Sequence, residues 1–316
     1  MEKVRFFTGN SNKELAEEVS KYTKLPLGKI TVDRFPNMET RVEVMESVRG
    51  CKVFLLQSTS PPVNENLMEL LIMIDALKRA SAQEVNAIIP YFGYSKQEKR
   101  KTGREPITAK LVANMLTIAG MNRLVTVDLH SAPIEGFFNV PVDNLTAVDL
   151  LAGYFREKKL EDIAVVSPDV GGTKRARDLA NRLQAKLAII DKYRPDWSKA
   201  NAMNVIGKVD GMNAVIVDDF IDTGGSVAEA VKALKNHDAK KVFVCCTHGL
   251  LTPPAIERLK ESEAEEVVVT NTVKIPKEKS FDRLKVLSIA PLIGEAINRI
   301  NSGGSISELF NNKNGS

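Results

Sequence analysis

Two adjacent carboxylates close an apolar run in the segment VIVDDFIDTGGS: Val215–Val217 lead into Asp218 and Asp219. The loop Asp222-Thr223-Gly224-Gly225-Ser226 follows, and then a helical pattern. Ligands of open α/β sheets bind beyond the carboxyl ends of strands. Successive N–H groups of a glycine-rich loop, with the positive end of the helix behind them, form a cradle for a phosphate. Glycine is needed there because a Cβ would block close approach of the backbone, and because positive φ costs it little. The hydroxyls of Thr223 and Ser226 add donors. Asp218 and Asp219 are anionic and repel a phosphate, so they suit sugar hydroxyls or a metal. Ser226 and Glu229 also fit a capping box, and Asp222 an ordinary turn. Neither explains two acids side by side at a strand end.

The three histidines carry less. His130 follows the apolar segment LVTVDL and reads either as a ligand or as a polar residue satisfied at a strand end. His237 sits among Lys and Asp at a helix end and reads as surface, and His248, in THG, stays open.

Short apolar runs alternate with helical patterns along the chain. Strands are expected at Val4–Phe7, Lys29–Asp33, Arg41–Val44, Val53–Gln57, Val85–Pro90, Leu124–Asp128, Ile163–Ser167, Leu187–Asp191, Ala214–Val217, Val242–Cys246, Glu266–Thr270 and Lys285–Ile289. Helices are expected at Asn66–Ala80, Thr108–Ala119, Thr173–Gln184 and Val227–Asn236, among others. This alternation argues for α/β architecture, with mainly parallel sheets flanked by helices. The two halves also look related. The stretch from Val53 to Gly93 reads strand, polar loop, helix, turn, strand, as does Ala214 to Gly249. A second pairing sets PITAKLVANMLTIAGMNRLVTVDL against GGTKRARDLANRLQAKLAIIDK. Two copies of one unit are expected, as domains 1–146 and 147–316.

The chain has 316 residues, with 44 Lys and Arg against 40 Asp and Glu. Length favours two domains, and a net charge of +4 is too mild to argue for nucleic acid or a membrane surface. The most apolar helical stretch, Leu67–Leu77, is broken by Glu69 and Asp75 and is too short to span a bilayer. No signal peptide is read in MEKVRFFTGN. Cys51, Cys245 and Cys246 lack metal-ligand spacing and read as reduced packing residues of a cytoplasmic protein.

The segment VIVDDFIDTGGS resembles the ribose 5-phosphate signature of phosphoribosyltransferase-type folds. Other segments narrow the resemblance to the ribose-phosphate diphosphokinase (PRPP synthetase) family. They are RFPNMETRVEV at 34–44, ESVRG at 46–50, NLMELLIMIDA at 66–76, PYFGYSKQEKR at 90–100, KLVANML at 110–116, TVDLHS at 126–131, GFFNVPVDN at 136–144, VSPDVGGTKRA at 166–176 and SISELF at 305–310. The resemblance runs from Val4 to Phe310.

It implies two tandem phosphoribosyltransferase-like domains and transfer of the diphosphoryl group of ATP to the C1 hydroxyl of ribose 5-phosphate. The products would be PRPP, for nucleotide, histidine and tryptophan biosynthesis, and AMP. Such chemistry rests on positioning and charge neutralisation. The resemblance assigns ribose 5-phosphate to Asp218, Asp219, Asp222, Thr223, Gly224, Gly225 and Ser226, with Arg194. Lys192 and Arg194 become the catalytic cations of a loop at 192–204, which also holds Trp197. His130 and Asp169 become ligands of Mg²⁺, with Asp128 and Asp143 as outer partners, although imidazole is an unusual ligand for that ion. Gly171, Gly172, Thr173 and Lys174 form the diphosphate loop, a segment that alone reads as a glycine turn before a helix. ATP goes to Phe35, Asn37, Met38, Glu39, Lys96 and Gln97, between the domains and partly completed by a neighbouring subunit. Ser47, Arg49, Arg100, Ser305 and Ser307 match a regulatory site for phosphate and ADP between subunits, in a homo-oligomer expected to be a hexamer of dimers.

The sequence departs from the family pattern at several positions. Asn37 stands where Asp is common and Lys96 where Arg is usual, exchanging a planar fork for a point charge. Lys101 stands where an acid is often found. Glu135 replaces a Gln near the regulatory site, which predicts weaker allosteric ADP inhibition with phosphate activation retained. Two rivals share part of the pattern. A PRPP-consuming phosphoribosyltransferase would lack the RFPNMET, YSKQEK and DLH segments, and a non-catalytic regulatory homologue would have a damaged loop or cradle.

Overall fold

The computed structural model describes residues 3–193 and 202–311. The chain divides into two compact units, one of residues 1–145, 272–274 and 288–316, the other of 146–271 and 275–287.

The first unit runs β1 (Lys3–Thr8), α1 (Lys13–Thr23), β2 (Ile30–Arg34), β3 (Thr40–Val44), β4 (Cys51–Leu56), α2 (Val63–Arg79), β5 (Glu84–Ile89), α3 (Thr108–Ala119), β6 (Arg123–Val127) and β7 (Val142–Leu145). Its sheet has the order β1-β4-β5-β6-β7, with every pair parallel. β2 and β3 form a separate antiparallel hairpin. The second unit holds α4 (Val148–Glu157), β8 (Ile163–Ser167), α5 (Thr173–Leu183), β9 (Lys186–Tyr193), β10 (Ala202–Ile206), β11 (Asn213–Ile221), α6 (Gly225–Asn236), β12 (Lys241–Gly249), α7 (Ala255–Glu261), β13 (Glu266–Thr270) and β14 (Leu284–Leu287). Its sheet has the order β10-β9-β8-β11-β12-β13-β14, and only β10 runs antiparallel to its neighbour.

Burial on both sheet faces explains the near-continuous apolar strands. Ala214 and Ile216 of β11 pack with Val227 and Val231 of α6 and with Val244 of β12. The alternate residues Val215 and Val217 pack on the other face with Leu151, Phe155 and Leu179 of α4 and α5. In the first unit Val53 and Leu55 share a core with Leu70, Ile74 and Leu77 of α2 and with Val112 and Leu116 of α3.

The structure departs from the sequence expectations in several respects. β11 and β12 extend beyond the expected ends at Val217 and Cys246 to Ile221 and Gly249, because each continues to pair with the other. Asp218 and Asp219 therefore lie within β11 rather than after it. The second domain does not keep 147–316: α8 (Ala290–Ser302) joins the first unit, where it packs on α1. Ser288 donates to Glu18, Lys274 pairs with Glu14 at 2.9 Å, and the Ser58 hydroxyl donates to the Thr272 carbonyl at 2.6 Å.

The third difference concerns the repeat. β4-α2-β5 and β11-α6-β12 do occupy the same place in the two strand orders. The counterpart of α3-β6, however, is α7-β13 rather than α5-β9. In chain order each unit runs a strand and helix, β1-α1 or β8-α5, then an antiparallel pair, β2-β3 or β9-β10, and then β4 or β11, with α4 an addition ahead of β8.

Candidate active site

The centre of the second unit is the place where β11 outruns one neighbour but not the other. β8 pairs with β11 only as far as Ile216, whereas β12 accompanies it to Ile221. Asp218 and Asp219 fall in that stretch, next to the end of β8. The Asp219 N–H donates to Asp218 Oδ1 at 2.9 Å. The Arg175 guanidinium, from the first turn of α5, stands 3.4 Å from Asp218 Oδ1 and 3.7 Å from Asp219 Oδ1. Burial and the neighbouring Asp219 charge push the Asp218 carboxyl up to about 8, against the opposing pull of Arg175. One carboxyl of the pair therefore keeps its proton near neutral pH and can both donate to and accept from a diol. Asp219 is itself buried, at 4% exposure.

The phosphate-type loop follows directly. Gly224 takes φ +72°, the left-handed region, and α6 begins at Gly225. Ser226 is thus inside the helix, not its cap, and no side chain caps α6, so the capping-box explanation of Ser226 fails. The first N–H groups of α6 have no intrahelical acceptors and are left for a ligand. The loop is held in place on two sides. Leu251 and Thr252 donate their N–H groups to the Ile221 and Asp222 carbonyls, each at 3.0 Å, and Arg258 Nη1 donates to the Thr223 carbonyl at 3.0 Å. Lys279 lies near Asp222 and donates to the Leu250 carbonyl at 2.8 Å; burial lowers its pKa, although Asp222 opposes the shift.

A second loop leads from β8 into α5. Asp169 Oδ1 accepts the Gly172 N–H at 2.8 Å, and the Ser167 hydroxyl donates to the Asp169 carbonyl at 2.6 Å. A Cβ at Gly172 would come within 2.8 Å of that hydroxyl, which would have to shift to admit a side chain. Thr173 Oγ1 donates to the Val170 carbonyl, and Lys174 follows on the first turn of α5. Both glycine loops and the acidic pair thus gather at the carboxyl ends of β8 and β11.

The equivalent place in the first unit is filled by the protein's own polar groups. At the end of β4, buried Gln57 donates to Glu69 Oε2 at 3.0 Å, and Asn10 Nδ2, from the loop after β1, donates to Glu69 Oε1 at 3.0 Å. Asn66 Nδ2 donates to the Ser60 carbonyl at 2.8 Å.

The other candidates of the first unit lie on turns. Phe35, Asn37, Met38 and Glu39 form the tip of the β2–β3 hairpin, where Met38 has φ +72° and Asn37 Oδ1 accepts the Glu39 N–H at 3.2 Å. Phe35 is 47% exposed, available for stacking. Lys96 and Gln97 are exposed on the turn Ser95–Gln97, where the side-chain Oε1 of Gln97 accepts from the Thr108 hydroxyl. The first turn of α2 joins the two segments: Glu65 pairs with Arg34 next to the hairpin tip, and Asn64 accepts from Tyr94 at the start of the turn. His130 is exposed just after β6. Asp143 lies on β7, with its carboxylate 2.6 Å from Arg123. Glu135 accepts from Asn144 Nδ2 at 2.9 Å, and Asn144 Oδ1 accepts the Leu129 N–H at 3.1 Å.

Among the regulatory candidates, Ser305 and Ser307 share a hydroxyl contact of 2.7 Å, Arg100 donates to the Gly103 carbonyl at 3.4 Å, and Ser47 and Arg49 are exposed. Lys192 lies on β9 opposite Met203. Its side chain, Arg194 and Trp197 lie outside the described residues. Arg175, Arg258 and Lys279 were not singled out in the sequence, where each reads as one more cation on a helix or turn. The run SPDVGGTKRA did contain Arg175, but nothing in it points to Asp218.

A family model described as the N-terminal domain of ribose phosphate pyrophosphokinase matches residues 4–120, and one described as the phosphoribosyl synthetase-associated domain matches 194–311. The chain is 52% identical over 308 residues to the ribose-phosphate pyrophosphokinase of Bacillus cereus, covering 98% of this chain and 97% of that protein. The enzyme of the same name from Corynebacterium ammoniagenes is also 52% identical over 308 residues, with the same coverage. The crystal structure of phosphoribosylpyrophosphate synthetase from Mycobacterium smegmatis superposes with a TM-score of 0.91 at 45% identity, covering 96% of this chain and 100% of that one.

Proposed function

The chain belongs to the ribose-phosphate pyrophosphokinase family, and from that premise we propose that its second-unit site holds ribose 5-phosphate while the diphosphoryl group of ATP is transferred to the sugar. The observation that carries this reading is the paired Asp218 and Asp219 beside the Gly224–Ser226 helix start. That arrangement suits a molecule with a diol at one end and a phosphate at the other. The loop and the first turn of α6 take the 5-phosphate, and the acids take the ribose hydroxyls.

In the reaction the C1 oxygen forms a bond to the β-phosphorus of ATP. The bond from that phosphorus to the α,β-bridging oxygen breaks, AMP departs with that oxygen, and the hydroxyl proton is released. Lys192 and Arg194 neutralise charge on the transferred group, and Gly171, Gly172, Thr173 and Lys174 face the new diphosphate. Phe35, Asn37, Met38, Glu39, Lys96 and Gln97 bind the nucleotide, held in position from the first turn of α2.

The donor chemistry fits Mg²⁺ brought in with the nucleotide. Among the described residues no three His, Cys, Asp or Glu side chains gather to hold a metal ion, and Mg²⁺ is usually bound by one or two carboxylates together with substrate phosphates and water. Asp169 and His130 would hold it, and it would neutralise phosphate charge.

A homohexamer built from dimers, with phosphate and ADP acting at Ser47, Arg49, Arg100, Ser305 and Ser307, belongs to the same reading. So does a cytoplasmic setting, supported by three buried cysteines that remain thiols. Among the described residues no helix is long and apolar enough to cross a membrane. Titration of the protein with ribose 5-phosphate tests the site: binding is expected and should be lost in Asp218→Ala, and an unaltered affinity in that variant would move the sugar elsewhere.

A further inference from the structure

We propose that Arg258 is a positioning residue for ribose 5-phosphate, acting by fixing the orientation of the Thr223–Gly224 peptide. The inference rests on the ribose 5-phosphate reading of the 222–226 loop. Arg258 lies on α7, outside the loop, and its Nη1 donates to the Thr223 carbonyl at 3.0 Å. The same nitrogen lies 3.3 Å from where a Cβ on Gly225 would sit, so the guanidinium is seated directly against the loop backbone.

The Thr223–Gly224 peptide is trans. In a trans peptide the carbonyl and the N–H point in opposite directions. Holding the Thr223 carbonyl toward α7 therefore turns the Gly224 N–H to the opposite side of the peptide, away from Arg258. Gly224, at φ +72°, is also a glycine, so the φ next to that peptide has little barrier to other values. A rotated peptide would present a carbonyl oxygen, rather than an N–H, on the side facing away from Arg258. At an anion site that exchanges an attraction for a repulsion. Arg258 removes this alternative before the ligand arrives, and the loop's hydrogen bonds from Leu251 and Thr252 leave that peptide unrestrained, since they end at the Ile221 and Asp222 carbonyls.

A purely electrostatic role would need only a positive charge, whereas peptide orientation needs a donor at that place. The variants Arg258→Met, Arg258→Lys and Arg258→Gln, read at low and high salt, separate the two, with binding of ribose 5-phosphate measured by calorimetry, the KM values of both substrates, and the melting temperature of each protein. Arg258→Met is expected to weaken ribose 5-phosphate by about tenfold, the scale of one lost hydrogen bond, with the KM for ATP changed less than about twofold. Arg258→Lys, which keeps a donor of similar reach, is expected to recover most of the loss, and Arg258→Gln, two atoms too short for the Thr223 carbonyl, is not. Unchanged ribose 5-phosphate affinity in Arg258→Met overturns the proposal, as does a loss that disappears at high salt, where a charge effect is screened and a missing hydrogen bond is not. If Arg258→Met fails to fold, Arg258→Gln is read in the same way. No ribose 5-phosphate binding by the unaltered protein overturns the reading of the site itself, and the positioning role with it.

Discussion

Asp218 is the residue at which the site and the stability of the fold are most directly linked. Its carboxyl is raised to about 8 by burial and by Asp219. The folded protein therefore holds a proton that the unfolded chain releases in the ordinary carboxylate range. Between those two values the folded state binds more protons, so its stability falls as pH rises from about 4 to about 8 and levels off above that. Melting temperatures across this range are expected to decline in the unaltered protein, and the decline should be shallower in Asp218→Asn; equal slopes would mean the proton is not held there. Lys192→Ala is expected to lower kcat by about a thousandfold or more while leaving ribose 5-phosphate binding in place, and a loss confined to KM would make Lys192 a binding residue. The acidic pair and the glycine loop were legible in the sequence because adjacency and composition alone mark them. Arg175 was not, because its role depends on α5 laying its first turn across the end of β11.

At the scale of elements, the phosphate loop works through one left-handed residue. Gly224→Ala sets the new Cβ in ordinary van der Waals contact with Ala255, at 3.4 Å, but holds alanine at φ +72°. The expected cost is about 1–2 kcal/mol of stability, read by denaturant unfolding, together with weaker ribose 5-phosphate binding. An unchanged midpoint would mean that the loop relaxes to negative φ. Strand positions were well anticipated, since runs such as IAVVS and EVVVT are buried on both faces and need no alternation to be recognised. Missed were β7, whose VDNL carries two polar residues, and β10, in a stretch read as catalytic loop. The ends of β11 were missed for a physical reason: pairing with β12 carries the strand through two carboxylates that composition alone would place in a loop.

At the scale of the molecule, the two units repeat one topology but use it differently. In the second unit the ends of β8 and β11 are arranged around glycine loops and acids. In the first, Glu69, Gln57 and Asn10 satisfy one another in the equivalent place, and the nucleotide candidates sit instead on turns joined to α2. The return of α8 to the first unit was not legible, because its amphipathic pattern says that it packs but not on which unit. Ile293 and Ile297 are fully buried in α8. Replacing either by Ala is expected to cost about 2–5 kcal/mol, and a denaturation midpoint close to that of the unaltered protein would deny α8 a structural role. The central claim, diphosphoryl transfer, is tested most directly by ³¹P NMR of the protein mixed with Mg-ATP, ribose 5-phosphate and inorganic phosphate. The expected result is the joint appearance of AMP and a sugar-linked diphosphate. Formation of ADP with a sugar monophosphate ester, or no turnover by protein that binds both substrates, would contradict it.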